Sequence, residues 1–363
     1  MRILMLTRFA AMGANSRYRL LQYIPLLEGA GHQVEVRAML DDDYLEAMYA
    51  SGRRNLWHTA RGYARRISQL RGLDQYDVVL CDQEFLPYFP AIADTLIAGR
   101  CRRMIVDYDD AAYVKYQRIP GLRNRIPVLM GAAEAVVIGT QYLAEFASQY
   151  SRNVHVIPTV VDTARYIPKH DYRTGRGLLL VWIGTPITAR FLRPIASALT
   201  ALNQKYPELR IRLVGAGEAL RDVLPFAEVV EWSETSEVRL LAECDVGLMP
   251  LPDNEFTRGK CGLKLIQYMA AGLPVVGSPV GTNCDIISEG RDGFLASEPQ
   301  EWFVALERLI INEDLRREFG RNGVEKVRQR YSLQRGFEAW MNVLDPPRSS
   351  TEGLRSVTAA VGS

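Results

Sequence analysis

The sequence predicts an α/β protein of two Rossmann-like, doubly wound domains that face each other across a cleft. Three observations predict it. The chain opens on strand, glycine-bearing loop, helix and strand, the start of a nucleotide-binding half. The same pattern restarts at an uninterrupted apolar strand near residue 178. The length, 363 residues with 48% apolar, is enough for two cores.

Composition narrows the classes. Lys plus Arg (44) nearly balances Asp plus Glu (42), so the charge signature of a nucleic-acid binder is absent and no nucleic-acid partner is expected. Cys81, Cys101, Cys244, Cys261 and Cys284 show no CxxC spacing; they read as reduced thiols rather than a disulfide or zinc framework. The start MRILMLTRFAAMG is too short, and too soon interrupted by Arg8, for a signal peptide. No apolar run approaches the ~20 residues of a membrane span. A cytoplasmic location is expected, with peripheral contact on the inner face of a membrane.

The first domain is expected at 1–166. Residues 3–6 form a strand, 11–16 a glycine-bearing loop, 17–30 a helix and 34–38 a strand. A full GxGxxG is missing, so the dinucleotide fingerprint is not met. In 53–71, Leu56, Ala60, Tyr63, Ile67 and Leu70 share one helical stripe, and Arg53, Arg54, Arg61, Arg65, Arg66 and Arg71 add charge. No acid falls between Ser51 and Leu73. With Trp57 and Tyr63, this basic amphipathic stretch suits an anionic membrane surface or a phosphate-bearing lipid acceptor, making Arg61 and Arg65 acceptor-binding candidates. The stripe equally suits packing on the sheet with its arginines solvated, and Gly62 weakens the helix.

Strands at 77–81 and 103–106 follow, the second running into Asp107-Tyr108-Asp109-Asp110. A D-x-D alone is similar to the metal-binding pair of GT-A glycosyltransferases, but those carry one nucleotide-binding domain and this chain repeats its pattern. At the carboxyl end of a strand the acids face the ligand crevice. Asp109 and Asp110 are assigned to acceptor or sugar hydroxyls, Asp110 also as proton acceptor; a plain surface loop is the alternative. A strand at 135–138, a helix over 141–150 and a strand at 154–157 complete the sheet. The polar, glycine-bearing segment 167–177 reads as the linker.

The second domain is expected at 178–332. Its first strand, LLLVWI, is apolar throughout, as when both faces are covered. Gly184-Thr185-Pro186 and a helix from Thr188 follow, then strands at 211–214, 229–232 and 245–251. The stretch 258–281, RGKCGLKLIQYMAAGLPVVGSPVG, organises the rest. Gly259 and Gly262 loosen the backbone, Leu263, Ile266 and Ala270 recur at helical spacing, Gly272 suits a helix end and Pro274 forbids continuation. A helix opening from a glycine turn aims free N–H groups and a positive dipole end forward. Lys260 and Lys264 add charge there, which makes a site for an anion, most plainly a phosphate. Helices over 301–312 and 315–330 follow, then a helix over 333–345. The Ser/Thr/Gly-rich tail, 346–363, is expected to be disordered.

QYMAAGLPVV from Gln267 resembles the "EAMA.G.PVV" string of GT-B glycosyltransferases of family 4. Residues 158–162 and 290–296 are similar to two further segments of that family, and 331–343 to its terminal helix returning to the first domain. The resemblance implies a GT-B enzyme that moves a sugar from a nucleotide sugar, UDP- or GDP-linked, to a glycan or lipid-linked acceptor, retaining anomeric configuration. It implies no cofactor and no metal. On it, Lys260, Lys264 and Asp110 are the catalytic candidates. Gly13, Ser16, Gly184, Thr185, Arg190, Gly262, Leu263 and Gln267 are the donor-binding candidates, and Asp109, Arg61 and Arg65 the acceptor-binding ones. Both family glutamates are replaced, by Gly259 and Gln267; Gln267 keeps hydrogen-bonding capacity toward ribose hydroxyls. A nucleotide-sugar 2-epimerase and a non-catalytic sugar-nucleotide binder remain the alternatives.

Overall fold

The computed structural model describes residues 1–51, 55–173, 175 and 177–346. Arg53, Arg54 and the tail beyond Pro346 lie outside the described residues. The first sheet contains β1 (Arg2–Leu6), β2 (Gln33–Val36), β3 (Val78–Asp82), β4 (Met104–Tyr108), β5 (Ala135–Ile138) and β6 (Val154–Val156). The second contains β7 (Leu179–Ile183), β8 (Arg210–Val214), β9 (Glu228–Val230), β10 (Val246–Met249), β11 (Val275–Gly277) and β12 (Gly293–Leu295).

Both sheets are parallel, in the orders β2-β1-β3-β4-β5-β6 and β12-β11-β10-β7-β8-β9. The strand order reverses beside β1 in the first and between β7 and β10 in the second. In such sheets the crevice for a ligand opens at the carboxyl ends of the strands around that reversal. The central strands β3, β4, β7 and β10 are buried along their whole length; β7 is apolar throughout, as two covered faces require, while β3 and β4 carry the buried acids Asp82 and Asp107 at their carboxyl ends. Edge strand β2 is largely exposed and correspondingly polar.

The predicted helix 17–30 is instead three pieces, a helix Ala14–Arg19, a 3-10 turn Leu21–Tyr23 and a helix Ile24–Gly29. Pro25 opens the last piece, where its missing N–H costs nothing. Arg19 also holds the first piece in place, giving Asp107 two hydrogen bonds of 3.0 and 2.6 Å deep beneath β4.

The segment read as a linker packs on the second domain. Tyr172 is buried and donates to the Gly272 carbonyl at 2.8 Å. The chain then returns: Leu333–Leu344 is a helix whose Trp340, Val343 and Leu344 join Ile3, Met5 and Val78 in the first domain's core. Tyr18, Val161 and Tyr166 of the first half pack into the second domain's core cluster, so the two halves share apolar contacts as well as a cleft.

Candidate active site

The helix Leu263–Ala270 is anchored at both ends. At its C-terminus Gly272 takes φ +78°, Leu273 N–H bonds to Tyr268 O at 2.9 Å and Gly272 N–H to Met269 O at 3.0 Å. That pair is a Schellman motif. Tyr268 is fixed beneath the site, its hydroxyl accepting from Ile183 N–H of β7 at 2.9 Å. Glycine at 247 in β10 is required because the Tyr268 ring lies where a Cβ would be. These contacts aim the start of the helix into the crevice between β7 and β10.

That start carries no protein cap. Gly262 is left-handed at φ +67°, and no side chain caps the first turn. The first amide to close a turn is Ile266, on the Gly262 carbonyl at 3.3 Å, so the amides before it face forward. Lys264 is half-buried, its ammonium 5.3 Å from the centroid of Trp182. It has no carboxylate partner within ion-pair distance among the described residues. Burial first, and then the Lys260 ammonium, push Lys264 down to about 7, with Asp110 acting the other way. A cation held on a ring face without an anion, before an uncapped helix start, is an arrangement completed by an anionic ligand.

Gly184, in the turn after β7, permits this: a Cβ there would lie 2.5 Å from Trp182 Cη2. Thr185 and Thr188 form the capping box of the short helix Pro186–Ala189, so both hydroxyls are engaged locally. Arg190 is exposed at the end of that helix, its guanidinium 5.4 Å from the Phe191 ring.

Lys260 behaves differently from Lys264. It reaches across the cleft to Asp110 Oδ1 at 3.3 Å and lies 4.6 Å from the Phe256 ring centroid. Its neighbours make the same crossing. A Cβ on Gly259 would fall 2.8 Å from Ala111 Cβ, which accounts for glycine where the family resemblance placed an acid. Cys261 Sγ sits 2.8 Å from the Asp109 carbonyl, in space left by Gly139.

On the first-domain wall, Asp109 accepts from Gln83 Nε2 at 2.9 Å, and Arg8 Nη1 donates to Gln83 Oε1 at 3.3 Å. Burial first, then Asp110 and Asp82, push Asp109 up to about 8. Gln83 itself holds φ +63°, a left-handed conformation uncommon outside glycine and costly enough to mark the loop.

Other expected residues stand elsewhere. Ser16 is fully buried; its hydroxyl donates to Asp82 at 2.6 Å and accepts from Phe9 N–H at 3.1 Å. Gly13 precedes the Ala14–Arg19 helix at φ −71°, and glycine is needed there because a Cβ would overlap Phe9. Gln267 is buried, donating to Glu237 Oε1 at 2.7 Å and to the Tyr18 hydroxyl at 3.1 Å. Arg65 pairs with Asp41 at 2.6 Å and Arg61 is exposed, both on the helix Leu56–Gln69, and neither pairs with Asp109 or Asp110 among the described residues.

Sequence reasoning missed the interdomain network around Glu237. This buried carboxylate accepts from Tyr18 Oη at 2.6 Å and from Trp232 Nε1 at 2.8 Å. Arg17 approaches it at 3.8 Å and lies 5.0 Å from the Trp232 ring. The sequence does signal Ser233 as an N-cap, which the structure has, but not what Glu237 would face. A cavity of about 310 Å³ beside this network is lined by Arg17, Tyr18, Tyr166 and Glu234 and does not include Lys260 or Lys264.

Comparison with known proteins agrees with the geometry. Residues 179–312 match the family model described as Glycosyl transferases group 1. The D-inositol 3-phosphate glycosyltransferase of Pseudarthrobacter chlorophenolicus is 26% identical over 220 residues, 53% of this chain and 51% of that protein. That of Corynebacterium urealyticum is 27% identical over 219 residues, 51% of this chain and 50% of that protein. The chain thus spans about half the length of the curated relatives it matches. Among solved structures, Anabaena HepE in complex with UDP and glucose superposes with a TM-score of 0.73 at 15% identity, covering 95% of this chain and 99% of that one. The sucrose-phosphate synthase of Thermosynechococcus elongatus gives 0.69 at 14% identity, covering 95% and 98%. The fold is GT-B, and the resemblance to GT-B glycosyltransferases read from the sequence holds, now to a group 1 family model.

Proposed function

We propose that this chain, a GT-B protein with a group 1 glycosyltransferase match across its second domain, transfers a sugar from a nucleoside-diphosphate sugar to a hydroxyl of a glycan or lipid-linked acceptor. One observation carries the reading: the unpaired Lys264 ammonium beside the uncapped start of Leu263–Ala270, at the crevice where strand order reverses. UDP is the favoured base carrier, since HepE was solved with UDP; GDP is the alternative.

Breaking the anomeric C–O bond leaves charge on the departing diphosphate. Amides fixed at the helix start and the Lys264 ammonium meet that charge without reorganising, which lowers the barrier. These groups alone meet the diphosphate's charge, without a metal ion. With retention of configuration, a donor phosphate oxygen takes the acceptor proton. Asp109, neutral in part near pH 8, and Gln83 offer hydrogen bonds to hydroxyls. Asp110 holds Lys260 and thereby the 259–261 segment against the first domain. Contact of the basic stretch 53–71 with the cytoplasmic face of a membrane brings the protein to a lipid-linked acceptor.

A thermal-shift screen of UDP, GDP and their sugars tests it, followed by product analysis with and without acceptors. Stabilisation by one diphosphate and transfer to a hydroxyl are expected. Product from the donor alone would indicate an epimerase, and binding without turnover a non-catalytic protein; no response to any diphosphate would overturn the site.

A further inference from the structure

We propose that the first domain docks on an anionic lipid bilayer through one face built from the Leu56–Gln69 helix, the 85–90 loop and the Ala91–Ala98 helix. The inference rests on the transferase reading only in placing the acceptor at the membrane interface beside the cleft.

The Leu56–Gln69 helix is turned inside out for a core helix. Its packed side is Gly62, Arg66 and Leu70, all buried. A Cβ on Gly62 would lie 2.6 Å from Leu40 Cδ2, and Arg66 donates to the Arg37 carbonyl at 3.1 Å and to that of Thr7. The outward side is apolar: Leu56 is 82% exposed, Trp57 74% and Ile67 54%, with Ala60 and Ala64 between them also exposed. On the Ala91–Ala98 helix, Ile92 and Leu96, one turn apart, are 64% and 67% exposed. The loop joins the two helices. Tyr63 donates to the Pro87 carbonyl at 2.6 Å and stacks on Phe89 at 5.6 Å, while Tyr88 and Phe89 remain partly outside. Single exposed apolar residues are ordinary, but a continuous set on adjoining elements marks an interaction surface.

Charge selects the occupant. No acid occurs in 55–73 or in 111–133. The second segment adjoins the loop, with Tyr88 N–H bonded to Tyr116 Oη at 3.1 Å and Arg125 donating to the Phe89 carbonyl. The only acid of the Ala91–Ala98 helix, Asp94, is buried on Arg125 at 2.8 Å. Arg61, Arg71, Arg118 and Arg123 are exposed and make no ion pair among the described residues. Exposed carboxylates resume only at Asp43 and Glu46 before this stretch and at Asp74 after it. Apolar side chains including a tryptophan, set among cations without exposed anions, match an anionic interface: the arginines meet headgroups and the apolar arc enters the acyl boundary. The adjoining 111–133 segment reaches the cleft, where Gln117 donates to Glu255 Oε1 of the second domain at 2.8 Å.

Sedimentation with phosphatidylcholine vesicles, with and without phosphatidylglycerol, tests this on the whole chain. Leu56→Glu/Trp57→Glu and Ile92→Glu/Leu96→Glu are the variants, both at exposed positions. Binding is expected only to the anionic vesicles, weakening with salt, and about tenfold or more weaker in each double variant. The thermal shift with UDP should be unchanged in both, which also shows that they fold. Loss of the UDP response in every form, with lipid binding intact, would refute the transferase reading and leave the docking standing. Equal binding to neutral vesicles, absence of binding by the unmodified chain, or double variants that sediment like it would overturn the docking. So would a wild-type dimer that either variant splits, since the face would then join two copies.

Discussion

Two glycine-led helix starts face the interior of this molecule, and they differ in what remains unpaired. At Gly13, the short helix Ala14–Arg19 uses its polar groups internally: Ser16 on Asp82, Tyr18 on Glu237, Arg17 on the Ala11 carbonyl at 3.0 Å. At Gly262, the helix Leu263–Ala270 likewise has no side-chain cap, but its Lys264 lies on the Trp182 ring with no carboxylate partner among the described residues. In sequence the two look alike, a glycine turn opening a helix after a buried strand. A loop of this kind stays available to a ligand only where the fold has not already supplied partners for its polar side chains.

Breaking the second start should have the largest effect. Lys264→Met is expected to lower kcat by about 100-fold or more and to abolish the diphosphate thermal shift, measured by steady-state kinetics and melting curves. Next comes Gly262→Ala. The left-handed φ and the approach of Ile286 should make it lose roughly 2 kcal/mol of stability, with nucleotide affinity falling as well, by denaturant unfolding and titration. Ser16→Ala sharpens the contrast: loss of the buried bond to Asp82 should cost about 1–2 kcal/mol, with donor KM unchanged. Lys260→Met should be mildest, about 1 kcal/mol or less on transition-state binding, because that lysine faces Asp110 in a partly exposed pair.

The pH dependence follows from Lys264. Its folded value, about 7, lies below the ordinary lysine value of roughly 10.4. Between these values the unfolded chain binds more protons than the folded one, so this group makes apo stability rise with pH across that window. A bound diphosphate favours the charged ammonium, so affinity should fall as pH rises above 7, by up to about tenfold per unit.

Much of this was legible in the letters. The apolar run of β7, the Gly272 stop and the glycine turn opening the helix at Gly262 follow from local rules, and the structure contains each of them. The break in the predicted helix 17–30 had a local signal in Pro25, which a continuous helix does not tolerate, whereas the fixing of Arg19 by Asp107, remote in sequence, was not legible. Nor was the left-handed Gln83, a residue type that rarely adopts such φ. The polar look of 167–177 concealed Tyr172, whose burial depends on Gly272 and Gly320 leaving room for its ring. Gln267 read as a ribose ligand because its partners are remote in sequence: Glu237 comes from another helix of the same domain, and Tyr18 from the first domain. Burial and pairing are decided by tertiary contacts, and those decide which candidate residues stay available.

The most direct test is calorimetric titration of UDP into the protein at pH 8, repeated in buffers of different ionisation heat. If an unpaired, partly neutral Lys264 receives the diphosphate, binding should take up close to one proton (about 0.9 for a group moving from near 7 to well above 9), and Lys264→Met should remove that uptake with most of the affinity. Binding without proton uptake, or a Lys264→Met variant that holds UDP as tightly as the unmodified chain, would contradict it.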